Sequence, residues 1–334
     1  MINVVPYVKK PKFNRQLFTR GASIALLFFG VLTISYQAWF FSNNREVLAS
    51  IRLDFLFAAI LSELLAISTL ILPYQKYFKR QGITMSFWQS LVESLAGLGV
   101  GKIVILGDLL VWRRVMRQEK RSVMLAGKFM IVLYSLAIGT LAAMFLIAVV
   151  ISTVFYGLPG DNPVSKMIGL VPIVFAVVII GIFLSRNSKF VHNKMEKFSE
   201  RFVGETSLAP WQLVKKAGYL RRDIFQFAFS LSASWFFEGV ALWFILQAFD
   251  LKVSFLVGIY GYLFSRLAGF LPIIPGGVGE SETITASFFV SYGHPLSTIL
   301  AAVLAFRILS FWFPAIIGLG MSAKLFLPHR HKKK

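Results

Sequence analysis

The chain is 334 residues long, 57% hydrophobic and only 15% charged, with a mean hydropathy of +0.70. Soluble domains carry about 25% charged residues, so this composition excludes an ordinary water-soluble globule and implies helices embedded in a bilayer. There is no cysteine, which excludes disulfides, thiolate catalysis and cysteine metal sites, and a net charge of +20 has to be explained by topology or by an anionic partner.

Residues 1–20 are polar and basic, and the first apolar stretch, 21–41, lacks a small-residue cleavage site, so it reads as a retained span. Further spans of the roughly 20 residues that a helix needs to cross hydrocarbon are expected at 53–72, 123–151, 164–184, 224–249 and 295–320. Two apolar regions do not read as simple spans. Residues 85–112 are interrupted by Gly97, Gly99, Gly101 and Gly107, and residues 253–292 by Gly269, Pro272, Pro275, Gly276, Gly277 and Gly279. Irregular backbone survives at membrane depth only where protein or a wet cavity covers it. Both regions are therefore expected to be broken helix pairs or re-entrant hairpins that return the chain to the side it left. The expected fold class is all-α: a single integral membrane domain over 1–334, with about six full spans and two re-entrant hairpins.

Charge distribution fits that layout. With the N-terminus inside, 27 of the 35 Lys and Arg fall in the inside segments, 1–20, 73–84, 113–122, 185–223 and the tail from Lys324. The outside segments hold four, Arg45, Arg52, Lys166 and Lys252, and the remaining four, Lys102, Lys128, Arg266 and Arg307, lie within apolar regions. This is a strong positive-inside bias. It predicts a multi-pass protein of the cell membrane with both termini cytoplasmic, and 185–223 as a basic cytoplasmic connection with an interfacial helix near 190–202. A shift of 172 residues lays Leu95-Ala96-Gly97 on Leu267-Ala268-Gly269 and Gly107-Asp108 on Gly279-Glu280. Identity is low, but the element order span, broken pair, span recurs. Residues 53–151 and 224–320 are thus expected to be two halves of an inverted-topology repeat, the device by which transporters build a midplane site.

Ionisable residues at membrane depth cost roughly 2.5–3.5 kcal/mol each on insertion scales. Ten are expected there: Glu63, Glu93, Lys102, Asp108, Lys128, Glu238, Arg266, Glu280, Glu282 and Arg307. They read as a polar cavity, the plainer alternative being internal ion pairs and snorkelling. In the segment 265–282, prolines stop one helix, glycines admit close backbone approach, and a helix start near Glu280 offers bare N–H groups to a phosphate. Glu280 and Glu282 suit a cationic head group, an arginine or a helix cap. Arg307 needs a carboxylate or phosphate, with Glu280 or Glu282 as its expected resting partner. Gly97-Leu98-Gly99-Val100-Gly101 suits a close helix contact more than a ligand loop. The four histidines, His192, His294, His329 and His331, lack metal-ligand spacing, and no metal or other cofactor is expected.

Pro275-Gly276-Gly277-Val278-Gly279-x-x-Glu282, followed by Arg307, Trp312-Phe313-Pro314 and Gly318, resembles the C-terminal signature of the lysylphosphatidylglycerol synthase transmembrane-region family. Gly107-Asp108 with Arg113 or Arg114 resembles a weaker first-half motif. It lacks the proline expected before it, and Ser281 stands where a basic residue is frequent. The resemblance implies a lipid-translocase fold with two re-entrant elements. It implies no enzymatic activity here: the chain ends in a short basic tail, where some members continue into a soluble aminoacyl transferase.

Together these readings point to a flippase- or scramblase-like protein that moves a phospholipid or lipid-linked head group. Its expected lipid-binding residues are Arg266, Pro275, Gly276, Gly277, Gly279, Glu280, Glu282, Arg307, Gly107 and Asp108. No Walker motif is present, so ATP is not the direct energy source. Two alternatives stay open: a membrane-embedded lipid-modifying or polyprenyl-phosphate glycosyltransferase-type enzyme, and a non-transporting regulatory subunit. The expected partners are membrane lipids, anionic or lipid-linked, and not nucleic acid. A homo-oligomer or a separate cytoplasmic lipid-modifying enzyme is the protein partner that fits.

Overall fold

The computed structural model describes residues 51–80, 82–103, 107–119, 123–156, 221–268 and 279–326, with a few positions between 35 and 46. The expected span 164–184, the interfacial helix near 190–202 and the Pro275-Gly276-Gly277 turn lie outside the described residues, as does most of 21–41. The positions before Asn44 belong to a separate compact unit, where the Ser42 hydroxyl donates to the Trp39 carbonyl at 2.8 Å.

All described elements of the second unit are helical: α1 (Leu53–Arg80), α2 (Phe87–Ile103), α3 (Gly107–Gln118), α4 (Val123–Tyr156), α5 (Arg221–Ala248), α6 (Phe255–Ala268), α7 (Glu280–Ser291), α8 (Leu296–Arg307) and α9 (Phe313–Phe326). A π-helical turn, Ile308–Trp312, joins α8 to α9. Four stretches are long and apolar enough to cross a bilayer: Leu53–Arg80, Val132–Ile151, Arg222–Ala248 and Leu296–Ser322. Their outward faces carry large apolar side chains such as Phe57, Leu64, Ile147, Phe229 and Ile316. In water such a surface would aggregate; in lipid tails it is the ordinary exterior. The chain is thus a multi-pass helical membrane protein.

Both broken regions are antiparallel helical hairpins. Gly101 and Gly97 of α2 face Asp108 and Trp112 of α3, positions placed symmetrically about the break. In the second hairpin the rings of Tyr260 and Phe264 on α6 lie 5.1 and 5.4 Å from Phe288 on α7. At 12, 14 and 12 residues, α3, α6 and α7 fall short of the roughly 17 residues that the shortest spanning helices need.

Long helices α1 and α5 also run antiparallel. The Arg52 N–H donates to Ala248 at 2.9 Å at one end, Phe55 meets Phe244 in between, and Arg80 pairs with Asp223 at the other. Each hairpin packs against the last helix of the other half: α2 on α9, and α6 on α4. Opposed first helices and exchanged hairpins are the packing that an inverted repeat of span, hairpin and span produces.

The expected span 295–320 is not one regular helix. It begins at Leu296, widens into the π turn and runs on to Phe326. Likewise α1 passes through Pro73 and ends at Arg80 rather than at 72. Stacked aromatics consolidate the Arg80 end of the bundle: Tyr74 on Trp112 at 4.5 Å and Tyr77 on Phe129 at 4.0 Å join α1, α3 and α4.

Gly99 and Gly318 set how closely α2 approaches α9. A Cβ built on Gly318 would run into the Leu95 carbonyl oxygen, and one on Gly99 into the Gly318 backbone. Backbone cannot yield as a flexible side chain does. Gly318→Ala is therefore expected to destabilise by about 1–3 kcal/mol or more, the usual range for overpacking. Gly139→Ala, where a new Cβ meets nothing within 4 Å, should leave the thermal midpoint of the detergent-purified protein nearly unchanged.

Candidate functional site

Six charged side chains converge where the described ends of the hairpin helices approach α1 and α5. Glu63 lies about a third of the way along α1, and Glu238 is the same ten residues from the facing end of α5. Antiparallel packing sets these two carboxylates across from each other. Lys102 closes α2 and Arg266 lies in the last turn of α6, while Glu282 lies in the first turn of α7. Arg307 ends α8 at the π turn. Bases at helix C-termini and an acid at an N-terminus each complement the local helix dipole.

Two ion pairs organise the cluster. Arg307 donates through Nε to Glu282 Oε1 at 2.8 Å, and the two residues are only 4% and 7% exposed. The other Glu282 oxygen accepts the Gly279 N–H at 2.8 Å. One carboxylate thus caps its own helix and neutralises the arginine. Gly279 adopts φ +84, a left-handed conformation that glycine takes without steric cost, and this lets the chain turn into α7. The second pair joins Arg266 to Glu238 at 2.5 Å, and Tyr262 bridges it: its hydroxyl donates to Glu238 and accepts Arg266 Nε at 3.0 Å.

Lys102 links the pairs to the first hairpin. Its ammonium donates to the Ser310 carbonyl at 2.5 Å, within the π turn. Phe311 lies beneath two cations, with the Arg307 guanidinium 4.5 Å and the Lys102 ammonium 5.7 Å from the ring centroid. The buried Glu63 carboxylate is within electrostatic reach of Glu238, Lys102 and Arg266, and its Oε2 accepts no hydrogen bond among the described residues. Three acids and three bases therefore balance in the interior. The void between Arg266 and Arg307 is only about 10 Å³, close to the smallest volume that holds one water.

The cluster both sharpens and revises the sequence expectations. Arg266, Glu282 and Arg307 are brought together, and Glu282 rather than Glu280 is the acid bonded to Arg307 Nε. Glu280 is half-buried at the start of α7 and Gly279 supplies its turn. Asp108 belongs elsewhere. Its oxygens accept the Leu109 N–H and the Tyr134 hydroxyl, each at 2.9 Å, where Gly107 opens α3, and no cation of the cluster bonds to it. Pro275, Gly276 and Gly277 lie outside the described residues. Glu63, Lys102 and Glu238 were not among the expected lipid-binding residues, although each appeared among the costly membrane charges; only antiparallel packing of α1 on α5 reveals their convergence. Gly97 and Gly101 pack on α3 and Gly99 on α9, so that run does make close helix contacts.

Crossing helices, two hairpins and a charged interior define a polytopic helical membrane protein. The family of the lysylphosphatidylglycerol synthase transmembrane region matches residues 22–318, and the chain belongs to it. A UPF0104 membrane protein of Pyrococcus horikoshii is 21% identical over 323 residues, covering 88% of this chain and 94% of that protein. A UPF0104 membrane protein of Methanothermobacter thermautotrophicus is 35% identical over 85 residues, 25% of each chain. A phosphatidylglycerol lysyltransferase of Staphylococcus aureus is 30% identical over 89 residues, which are 27% of this chain and 11% of that protein.

Removing one partner of a buried ion pair strands the other charge in a low-dielectric interior, at a cost of about 3–5 kcal/mol. Arg307→Met is expected to lower the unfolding midpoint accordingly. The double variant Glu282→Gln/Arg307→Met should recover part of that loss, because the stranded carboxylate is gone. A double-mutant cycle on thermal unfolding checks this, and strict additivity of the two single effects would refute it.

Proposed function

We propose that this protein is a lipid translocase of flippase or scramblase type, and that the charged interior is the path of the head group. The observation that carries the reading is the convergence of Glu63, Lys102, Glu238, Arg266, Glu282 and Arg307 in the interior, where helices of both hairpins meet α1, α5 and α8. A charged head group loses tens of kcal/mol of hydration in the idealised hydrocarbon limit. Fixed side-chain charges at the midplane replace that hydration while the acyl tails remain in lipid. Arg266 and Arg307 are the phosphate ligands in this reading, and Glu282 with Glu238 the ligands of a cationic part.

Several observations support it. Each hairpin leans on the last helix of the other half, which suits 53–151 and 224–320 to serve, in this reading, as the two halves of an alternating gate. The family description and the name of the S. aureus relative both concern phosphatidylglycerol or its lysyl derivative, which favours a phospholipid. The positive-inside bias favours a cell membrane location with both termini cytoplasmic. Transport is passive or ion-coupled, and the protein is not itself an enzyme in this reading.

Reconstitution in liposomes with fluorescent lipids of different head groups tests the proposal. Wild type is expected to move at least one head group faster than empty liposomes. Glu282→Gln and Arg307→Ala should each reduce that rate at least tenfold after correction for the folded fraction. Absence of movement with every lipid, or turnover of a lipid-linked sugar instead, would overturn it.

A further inference from the structure

A second site lies away from the charged interior, where the last turns of α1 meet the first turns of α5. A groove of about 640 Å³ opens between them, bordered by Thr84 and Met85 on the way into α2. That volume is in the range of small-molecule sites. Its two sides differ in chemistry. Lys76 and Lys79 stand on the rim. Leu72, Phe225 and Phe229 form an apolar flank that is 58, 71 and 67% exposed. Arg80 pairs with Asp223, and Lys76 is 4.0 Å from the same carboxylate. This single acid therefore serves two cations, and the exposed Lys79 adds a third positive charge. Gln226 lines the groove as well, and its side-chain oxygen is buried without a hydrogen-bond donor among the described residues. An acceptor in that condition is satisfied by an O–H or N–H donor.

We infer that this groove holds a resident anionic phospholipid whose head group offers a hydrogen-bond donor, a class that includes phosphatidylglycerol. Lys76 and Lys79 face the phosphate, Gln226 accepts from the head-group donor, and the acyl chains run along Leu72, Phe225 and Phe229. Basic side chains at the end of a bundle attract anionic lipid, and an amphipathic border places the head group above its tails. The site is separate from the proposed translocation path. Its lipid is bound at the joint between α1 and α5, the pair on which the inverted packing is built, and it does not need to cross.

The full chain has no cysteine, so a single probe can be placed at will. Bimane attached at Thr84→Cys reports on the groove, and bimane at Ile147→Cys on an apolar surface of α4. Quenching by brominated phosphatidylglycerol is compared with quenching by brominated phosphatidylcholine in reconstituted vesicles. At Thr84 the anionic lipid is expected to reach half-maximal quenching at a mole fraction on the order of tenfold lower, as two nearby lysines imply. That preference should vanish in Lys76→Gln/Lys79→Gln and weaken in Lys79→Gln, whose exposed side chain the fold does not need. At Ile147 the two lipids should quench alike. Equal quenching at Thr84, an equal preference at Ile147, or a preference that survives the double substitution would each overturn the inference.

Discussion

The fold depends on neutralising charge inside hydrocarbon. Each of Glu63, Lys102, Glu238, Arg266, Glu282 and Arg307 would be strongly unfavourable alone at membrane depth. They are tolerated because they arrive together, three of each sign, with hydrogen bonds met by one another, by Tyr262 and by the Ser310 carbonyl. These six residues come from six separate helices. Cluster neutrality therefore holds only if both hairpins, both first helices and α8 dock at once. A structure with one hairpin displaced would strand a buried cation or carboxylate, so the electrostatics select a single packing far more sharply than lipid-facing Leu and Phe do.

That demand explains why the hairpins are short. A helix that ends inside the bundle brings its terminal dipole and a charged residue of its last or first turn to the same place. Lys102 and Arg266 use C-terminal turns in this way, and Glu282 uses an N-terminal one. The π turn after Arg307 serves the same end. Its Ser310 carbonyl accepts the Lys102 ammonium, so a local irregularity in the last helix becomes the seat for the tip of the first hairpin. Gly99 and Gly318 permit that approach by letting the two backbones touch.

The sequence made the membrane class, the helix breaks and the partner of Arg307 legible, each for a local reason. Apolar run length marks a span, proline and glycine mark a break, and a lone arginine in a span requires an acid. What it concealed was non-local. Glu238 could be named only as one of ten membrane charges because its partner, Arg266, sits 28 residues away on a hairpin whose direction is fixed only by packing. Asp108 looked like a member of the site because Gly107-Asp108 aligns with Gly279-Glu280, yet Tyr134 claims it in the folded chain. The π turn left no mark in residues 308–312, since an inserted residue in a helix is a response to neighbours rather than to propensity.

In the proposed translocase reading, charge balance also constrains what a head group must bring. If a phosphate displaces Glu282 from Arg307, the carboxylate keeps its helix-capping bond to Gly279 but loses its cation. The interior then carries one uncompensated negative charge, which is the costly condition that the resting structure avoids. Two routes restore neutrality: the head group supplies its own cation to the carboxylate, or a proton enters with the lipid. Glu63, whose Oε2 has no donor among the described residues, is the group positioned to take that proton. A zwitterionic or cationic head group needs no such proton and a purely anionic one does. The same six side chains would thus decide both which lipid passes and whether its passage is coupled to an ion.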